Sequence, residues 1–177
     1  MAEILKRMET PSEADFHQAI NNRSAQWYSL CLKITQDVHL AEDAVQDALI
    51  SAWTKRDQFE HTARLETWIS RIAVNAALQL LRKRHPERWE VLETEVRDTS
   101  AGPVEQRHAL ELDKGLGVAL KGLSEFERLC FVLKHIQQWR LREIASLLDT
   151  NIGKIKQGVF RATQKLRMSM IHLRSEA

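Results

Sequence analysis

Across residues 16–84 the apolar side chains recur every three or four positions and never alternate, a period that belongs to helices and excludes a strand pattern. Phe16, Ile20, Trp27, Leu30, Cys31 and Ile34 mark one helical stretch, with a break expected near Asn21-Asn22. Val38, Ala41, Ala44, Val45, Ala48, Leu49, Ala52 and Trp53 mark a second, entered from Asp37 as N-cap. Leu65, Trp68, Ile69, Ile72, Ala73, Ala76 and Leu80 mark a third, after a polar segment, 55–64, that reads as a loop. Three such stripes can bury one another. Only 6% of the chain is aromatic and its six Gly and three Pro leave few turns, so an all-β fold is excluded.

The pattern lapses after Arg84. His85-Pro86, the run Glu87, Glu90, Glu93, Glu95, Asp98 and the cluster Ser100-Ala101-Gly102-Pro103 read as a linker. Helical spacing resumes from about Val104 through Leu110, Leu112, Leu116, Val118, Ala119 and Leu123, then Phe126, Leu129, Cys130, Leu133 and Ile136. The expected fold is all-α, an N-terminal helical bundle over 1–84 and a C-terminal helix-turn-helix domain over 109–177, joined by a flexible linker, 85–108. The 177 residues suffice for two small domains.

Net charge is +2, but its distribution is uneven. Residues 1–84 hold 11 Lys/Arg and 11 Asp/Glu, 85–108 hold 3 and 6, and 109–177 hold 12 and 7. Lys154, Lys156, Arg161, Lys165, Arg167 and Arg174 face no carboxylate between Thr150 and Arg174, an excess suited to a polyanion. The same segment has the parts of a helix-turn-helix. Leu141-Arg142-Glu143-Ile144-Ala145-Ser146-Leu147-Leu148 forms a short amphipathic helix, Asp149-Thr150-Asn151 breaks it, and Asn151 caps a second. Ile152, Ile155 and Val159 are the expected inner positions of that second helix, while Lys154, Lys156, Gln157 and Arg161 point elsewhere. Small Ala145 falls where the helices approach, and the second helix of such a motif enters the major groove. There Lys and Arg neutralise phosphates and Gln can bond adenine.

Two further constellations lie in the first half. In Ala41-Glu42-Asp43-Ala44-Val45-Gln46-Asp47-Ala48-Leu49 the apolar residues form one stripe, and Asp43, Gln46 and Asp47 share another face. Trp68-Ile69-Ser70-Arg71-Ile72-Ala73-Val74-Asn75 runs through Gln79 into the basic end Arg82-Lys83-Arg84. Trp27, Trp53 and Trp68 are expected to fill the first core, while Trp89 and Trp139, among polar neighbours, are candidates to meet a protein partner. Catalytic and metal chemistry find no support. The His residues at 17, 39, 61, 85, 108, 135 and 172 form no H-x-x-x-H or H-E-x-x-H pattern, and no Gly-rich phosphate loop or G-x-S-x-G elbow occurs. Neither a catalytic site nor a cofactor is expected. Cys31 and Cys130 belong to no C-x-x-C and read as buried, reduced thiols. No apolar run reaches signal-peptide or membrane-spanning length, so a cytoplasmic protein without membrane insertion is expected.

At these residues the chain resembles the extracytoplasmic-function sigma factors of bacterial RNA polymerase. The first-domain pattern is carried by Ala41-Glu42-Asp43-Ala44-Val45-Gln46-Asp47, Ala52-Trp53, Phe59, Thr67-Trp68-Ile69 and Arg71-Ile72-Ala73-Val74-Asn75. The second is carried by Leu123-Ser124-Glu125-Phe126-Glu127-Arg128, Glu143-Ile144-Ala145, Gly153-Lys154-Ile155-Lys156 and Phe160-Arg161-Ala162. The likeness covers roughly residues 14–174 in the family's order. It implies that the first domain docks on core polymerase through Asp43, Gln46 and Asp47. Phe59, His61, Thr62, Asn75 and Gln79 would then meet the minus-ten element, with Arg82, Lys83 and Arg84 on phosphates. Lys154, Lys156, Gln157, Phe160 and Arg161 would meet the minus-thirty-five element, and the second domain would also contact the flap of the β subunit. The implied partners are bacterial core RNA polymerase, promoter DNA and an anti-sigma factor.

Some positions depart from the family's pattern. Glu60 and His61 follow Phe59 where a Gly and a basic residue are often seen. Lys154, Gln157 and Gly158 replace a usual Thr, Ser and basic residue, and Trp139-Arg140 replaces a Gly-Ser style turn. Gly158 would cost a helix interior up to about 1 kcal/mol relative to Ala. The competing reading from another class is a free-standing helix-turn-helix regulator, which predicts a dimer on a palindromic site.

Overall fold

The structure, a computed structural model, describes residues 10–84, 86 and 111–175, with backbone alone at 111–114 and 170–175. It divides into two compact units, residues 1–86 and 87–177. Among the described residues there are helices and no strand. Apart from Pro86, the expected linker 85–108 lies outside them, as do Trp89, Val104 and Leu110, and so do the side chains of Leu112, His172 and Arg174.

The first unit is built from α1 (Glu13–Thr35), α2 (Val38–Thr54) and α3 (Leu65–Arg84). α1 opens with a capping box in which Ser12 and Asp15 bond each other's backbone. It runs unbroken through Asn21-Asn22, contrary to expectation. Both Asn are exposed, and their modest helix penalty is outweighed by burial of Ala19 before them and Trp27 after. α1 ends where Gln36 turns left-handed (φ 56°) and its N–H donates to the Leu32 carbonyl. Asp37 then caps α2 by accepting from the Leu40 N–H at 3.0 Å.

Helix α2 packs through small residues. Ala41, Ala44, Ala48 and Ala52 are essentially without exposed surface, so α1 and α3 both approach it closely. Larger side chains fill the rest of the core, including Phe16, Trp27 and Ile69, with Val45, Leu49 and Trp68 at its margin. Trp27 keeps its indole N–H satisfied by donating to Ser70 Oγ at 2.9 Å. Trp53 does not fill the core. It is 39% exposed at the end of α2, edge-on to Phe16 at 5.1 Å and under the Arg56 guanidinium at 4.1 Å. A short 3-10 turn, Arg56–Gln58, lies inside the polar segment expected as loop.

The second unit begins with α4 (Glu111–Lys121) and α5 (Glu125–Phe131), followed directly by a π-helical turn, Val132–Ile136. Then come α6 (Leu141–Leu147) and α7 (Ile152–Ser175). Ser124 and Glu127 form a capping box at the start of α5. Glu127 is almost wholly buried, accepts from the Ser124 N–H and pairs with Lys165 of α7 at 3.0 Å. The basic run of α7, unopposed locally, thus has one of its charges met by a carboxylate 38 residues earlier.

Both cysteines are free and buried, and burial pushes each thiol up to about 12 from an ordinary 9.0; at Cys130 the Glu127 charge adds to this. At pH 8 an aromatic disulfide reagent should therefore label neither thiol in the folded chain and both after denaturation. Labelling of either before unfolding would contradict its burial. Because these groups ionise more readily unfolded than folded, their contribution to stability is whole below about pH 9 and is lost as pH rises from there toward 12.

Candidate functional site

The side of α2 opposite its alanines carries Asp43, Gln46 and Asp47, all exposed. At the C-terminal end of that face, in line with them, stands Ile50, 66% exposed, seven residues after Asp43 and three after Asp47. Sequence reasoning missed it, although its place off the apolar stripe was visible in the spacing. An exposed isoleucine among carboxylates is a surface that can bury apolar area while matching a partner's charge. Val38, expected on the buried stripe, is instead 49% exposed at the helix start.

The loop after α2 carries a cluster of tilted rings. Phe59, half-buried, lies 5.4 Å from the Trp68 ring and 4.4 Å from that of His61. His61 is exposed and adopts a left-handed backbone (φ 54°), a conformation that a non-glycine residue takes at some cost. Asp15 lies within electrostatic reach of it. The Asp15 carboxyl is held low mainly by its bonds to Ser12, with His61 a lesser cause. Thr62 is exposed beside them.

On α3, Asn75, Gln79 and Arg82 share one exposed stripe, and Arg71 lies on it one turn before Asn75. The family resemblance includes Arg71 without implying a contact for it. Lys83 is exposed at the edge of this stripe. Arg84 is not part of it, being about 200° round the helix from Arg82 at ~100° per residue. Its guanidinium instead meets the Asp37 carboxylate at the start of α2. The three consecutive cations are therefore split by the helix between two faces.

In the second unit α6 and α7 form the expected helix-turn-helix. Leu148 ends α6, Asp149 turns left-handed (φ 49°), and the Thr150 N–H donates to the Ala145 carbonyl at 2.9 Å. Asn151 caps α7 by accepting from the Lys154 N–H at 2.9 Å. Ile144, Ala145, Leu148, Ile155, Ala162 and Leu166 are buried. Ile152, expected inside, is 36% exposed, and Val159 is only half-buried. Gly158 takes the inner place between Ile155 and Ala162, and a Cβ there would sit 2.8 Å from Cys130 Sγ and 2.9 Å from Phe126 Cε1. The glycine that looked costly for a helix is what lets α7 lie against α5.

Outward, Lys154, Gln157 and Arg161 form the crest of α7, all exposed. Lys156 and Phe160 turn to one side, into an open groove of about 460 Å³ also lined by Leu141, Val159, Arg167 and the π-turn residues Lys134 and His135. Phe160 is 61% exposed. Lys134 and His135 could not be read as neighbours of α7 from the sequence, because a π turn shifts helical register without a local signal. Among the described residues no three His, Cys, Asp or Glu gather as a metal site, and no helix is long and apolar enough to cross a membrane.

The family models for Sigma-70 region 2 and Sigma-70 region 4 match residues 21–87 and 113–166. The chain is 28% identical over 182 residues to the ECF RNA polymerase sigma factor SigW of Bacillus subtilis, covering 94% of this chain and 96% of that one. To SigG of Mycobacterium tuberculosis, another ECF RNA polymerase sigma factor, it is 31% identical over 163 residues, covering 77% of this chain and 44% of SigG. Its structure resembles the sigma factor RpoE crystallised with the anti-sigma factor NepR from Bartonella quintana. The TM-score is 0.60 at 28% identity, over 88% of this chain and 96% of the other. CnrH in complex with the cytosolic domain of CnrY shares the fold, with a TM-score of 0.55 at 20% identity over 96% of both chains.

Proposed function

The chain belongs to the extracytoplasmic-function sigma factors, alternative sigma factors of bacterial RNA polymerase, and on that premise we propose how its exposed surfaces divide the work. Residues 1–84 bind core polymerase through Asp43, Gln46 and Asp47, with Ile50 extending the contact at its C-terminal end. Phe59, His61 and Thr62 receive an unstacked base of the minus-ten element, and Asn75 and Gln79 face the same single strand. Arg82 and Lys83 hold phosphates beside them. Residues 109–177 anchor the upstream duplex, with the crest Lys154, Gln157 and Arg161 in the major groove and Lys156 and Phe160 at its side.

One observation carries this reading: a single chain presents an acidic helix face with an exposed isoleucine in one unit and a capped, cation-crested recognition helix in the other. The first suits a protein partner and the second a polyanion. The chain supplies binding energy that favours open promoter DNA, while bond formation is left to the polymerase. It acts in the cytoplasm, and an inhibitor that covers both units would silence it. The anti-sigma factor bound to the similar RpoE supports the existence of such an inhibitor.

The test is to mix the chain with bacterial core polymerase, follow co-elution, and map the starts made by the assembled enzyme on genomic fragments. New, specific starts are expected. No association with active core, together with dimeric binding to a palindromic duplex, would replace this reading with a free-standing regulator. Arg161→Ala should weaken duplex binding and lower the salt slope by about 0.9, the loss of one phosphate contact. An unchanged slope would remove Arg161 from the interface.

A further inference from the structure

Arg84 lies on a different face of α3 from Arg82. The Asp37 carboxylate is divided between two tasks. Its Oδ1 accepts the Leu40 N–H and caps α2, and its Oδ2 accepts from Arg84 Nη1. Each partner complements a helix end, the carboxylate at the start of α2 and the guanidinium in the last turn of α3. The pair is only partly covered, with side-chain exposures of 50% for Arg84 and 28% for Asp37. Water therefore screens it, and a competing anion can reach the guanidinium. A phosphate offers Arg the same planar recognition as a carboxylate.

We propose that Asp37 is a positioning residue for promoter binding: it holds the Arg84 guanidinium against α2 in the free protein, and a DNA phosphate must replace the carboxylate before Arg84 contributes. Arg84 is then a conditional contact. The inference rests on the reading of the α3 C-terminus as a phosphate-binding end. It predicts that removing the Asp37 charge strengthens DNA binding through Arg84 alone.

The chemistry of the cap makes this testable without unfolding α2. Asn is as good an N-cap as Asp, so Asp37→Asn keeps the bond to Leu40 while its amide group no longer attracts the guanidinium. Asp37→Ser, also a capping residue, serves as a second neutral variant. The full-length chain and its variants would be titrated by fluorescence anisotropy against a mixed-sequence forked DNA carrying a single-stranded arm, because phosphate contacts do not depend on sequence. Binding would be measured from low to moderate salt.

Both neutral variants should bind about fivefold tighter near 0.1 M salt, because no exposed ion pair has to be broken first, while the salt slope stays near that of wild type, since the same phosphate contact forms in each. Arg84→Ala should cancel the gain, so that Asp37→Asn/Arg84→Ala binds no better than Arg84→Ala alone. A gain that survives in the double variant would overturn the proposal, since the effect would then be general charge. An unchanged affinity in both neutral variants, with Arg84→Ala weaker than wild type, would show that Asp37 does not restrain Arg84, overturning the proposal but not the phosphate reading. Equal binding by all five chains would instead remove Arg84 from the DNA surface and overturn the proposal, leaving the phosphate reading of Arg82 and Lys83 in place.

Discussion

Asp47→Arg should reduce association with core polymerase at least a hundredfold while leaving helix content and unfolding temperature unchanged. Asp47 is exposed on the side of α2 opposite its buried alanines, so reversing its charge disturbs no packing. Arg is also the better helix former. The cost arises only in the complex, where a cation replaces an anion inside a closed surface that includes Ile50. A desolvated charge left without its partner costs roughly 3–5 kcal/mol, which sets the expected loss. Co-elution and a competition titration against a second sigma factor would measure it, with circular dichroism as the control for folding. Normal assembly by a folded Asp47→Arg chain would mean that α2 does not carry the contact.

Gly158→Ala should destabilise the second unit by about 1–3 kcal/mol, although intrinsic propensity alone would favour Ala by up to about 1 kcal/mol. The added methyl has nowhere to go. It would meet Cys130 Sγ at 2.8 Å and Phe126 Cε1 at 2.9 Å, closer than carbon and sulfur or carbon and carbon approach without repulsion. Relief requires α7 to move off α5, which would also tilt the crest that carries Gln157 and Arg161. Thermal unfolding should show the loss, and duplex binding should weaken with it. Cys130→Ala removes the sulfur, leaving the Cys130 Cβ at 3.3 Å and the Phe126 contact at 2.9 Å, so the double variant should lose less than the two single losses combined. A Gly158→Ala chain more stable than wild type would show that the two helices have room to spare.

Much of the helical skeleton was legible because its signals are local. Asp37 and Asn151 begin α2 and α7 where their side chains can satisfy free N–H groups within three residues, and period alone separates buried Ala41, Ala44, Ala48 and Ala52 from exposed Asp43, Gln46 and Asp47. Local signals misled where burial was in competition with propensity. Asn21-Asn22 did not break α1, because the helix is held by the core on either side of them. Trp53, apolar by composition and placed on the right stripe, is left 39% exposed because α2 stops there, with Phe16 edge-on to it and Arg56 over its ring.

The amino-acid sequence by itself determined which segments are helical, where they start, the turn between α6 and α7, and the separation of an acidic face from a basic one. Each depends on residues within a turn or two of one another, where 3.6-residue geometry and capping chemistry act directly. Only the tertiary structure decided which of those charges are available. Arg84 meets Asp37 from 47 residues away, Lys165 meets Glu127 from 38, and Gly158 fits beneath Cys130 and Phe126. Those pairings depend on how helices rotate and how closely they pack. A rotation of ~100° per residue separates neighbours that a sequence places side by side, and joins residues that it places far apart.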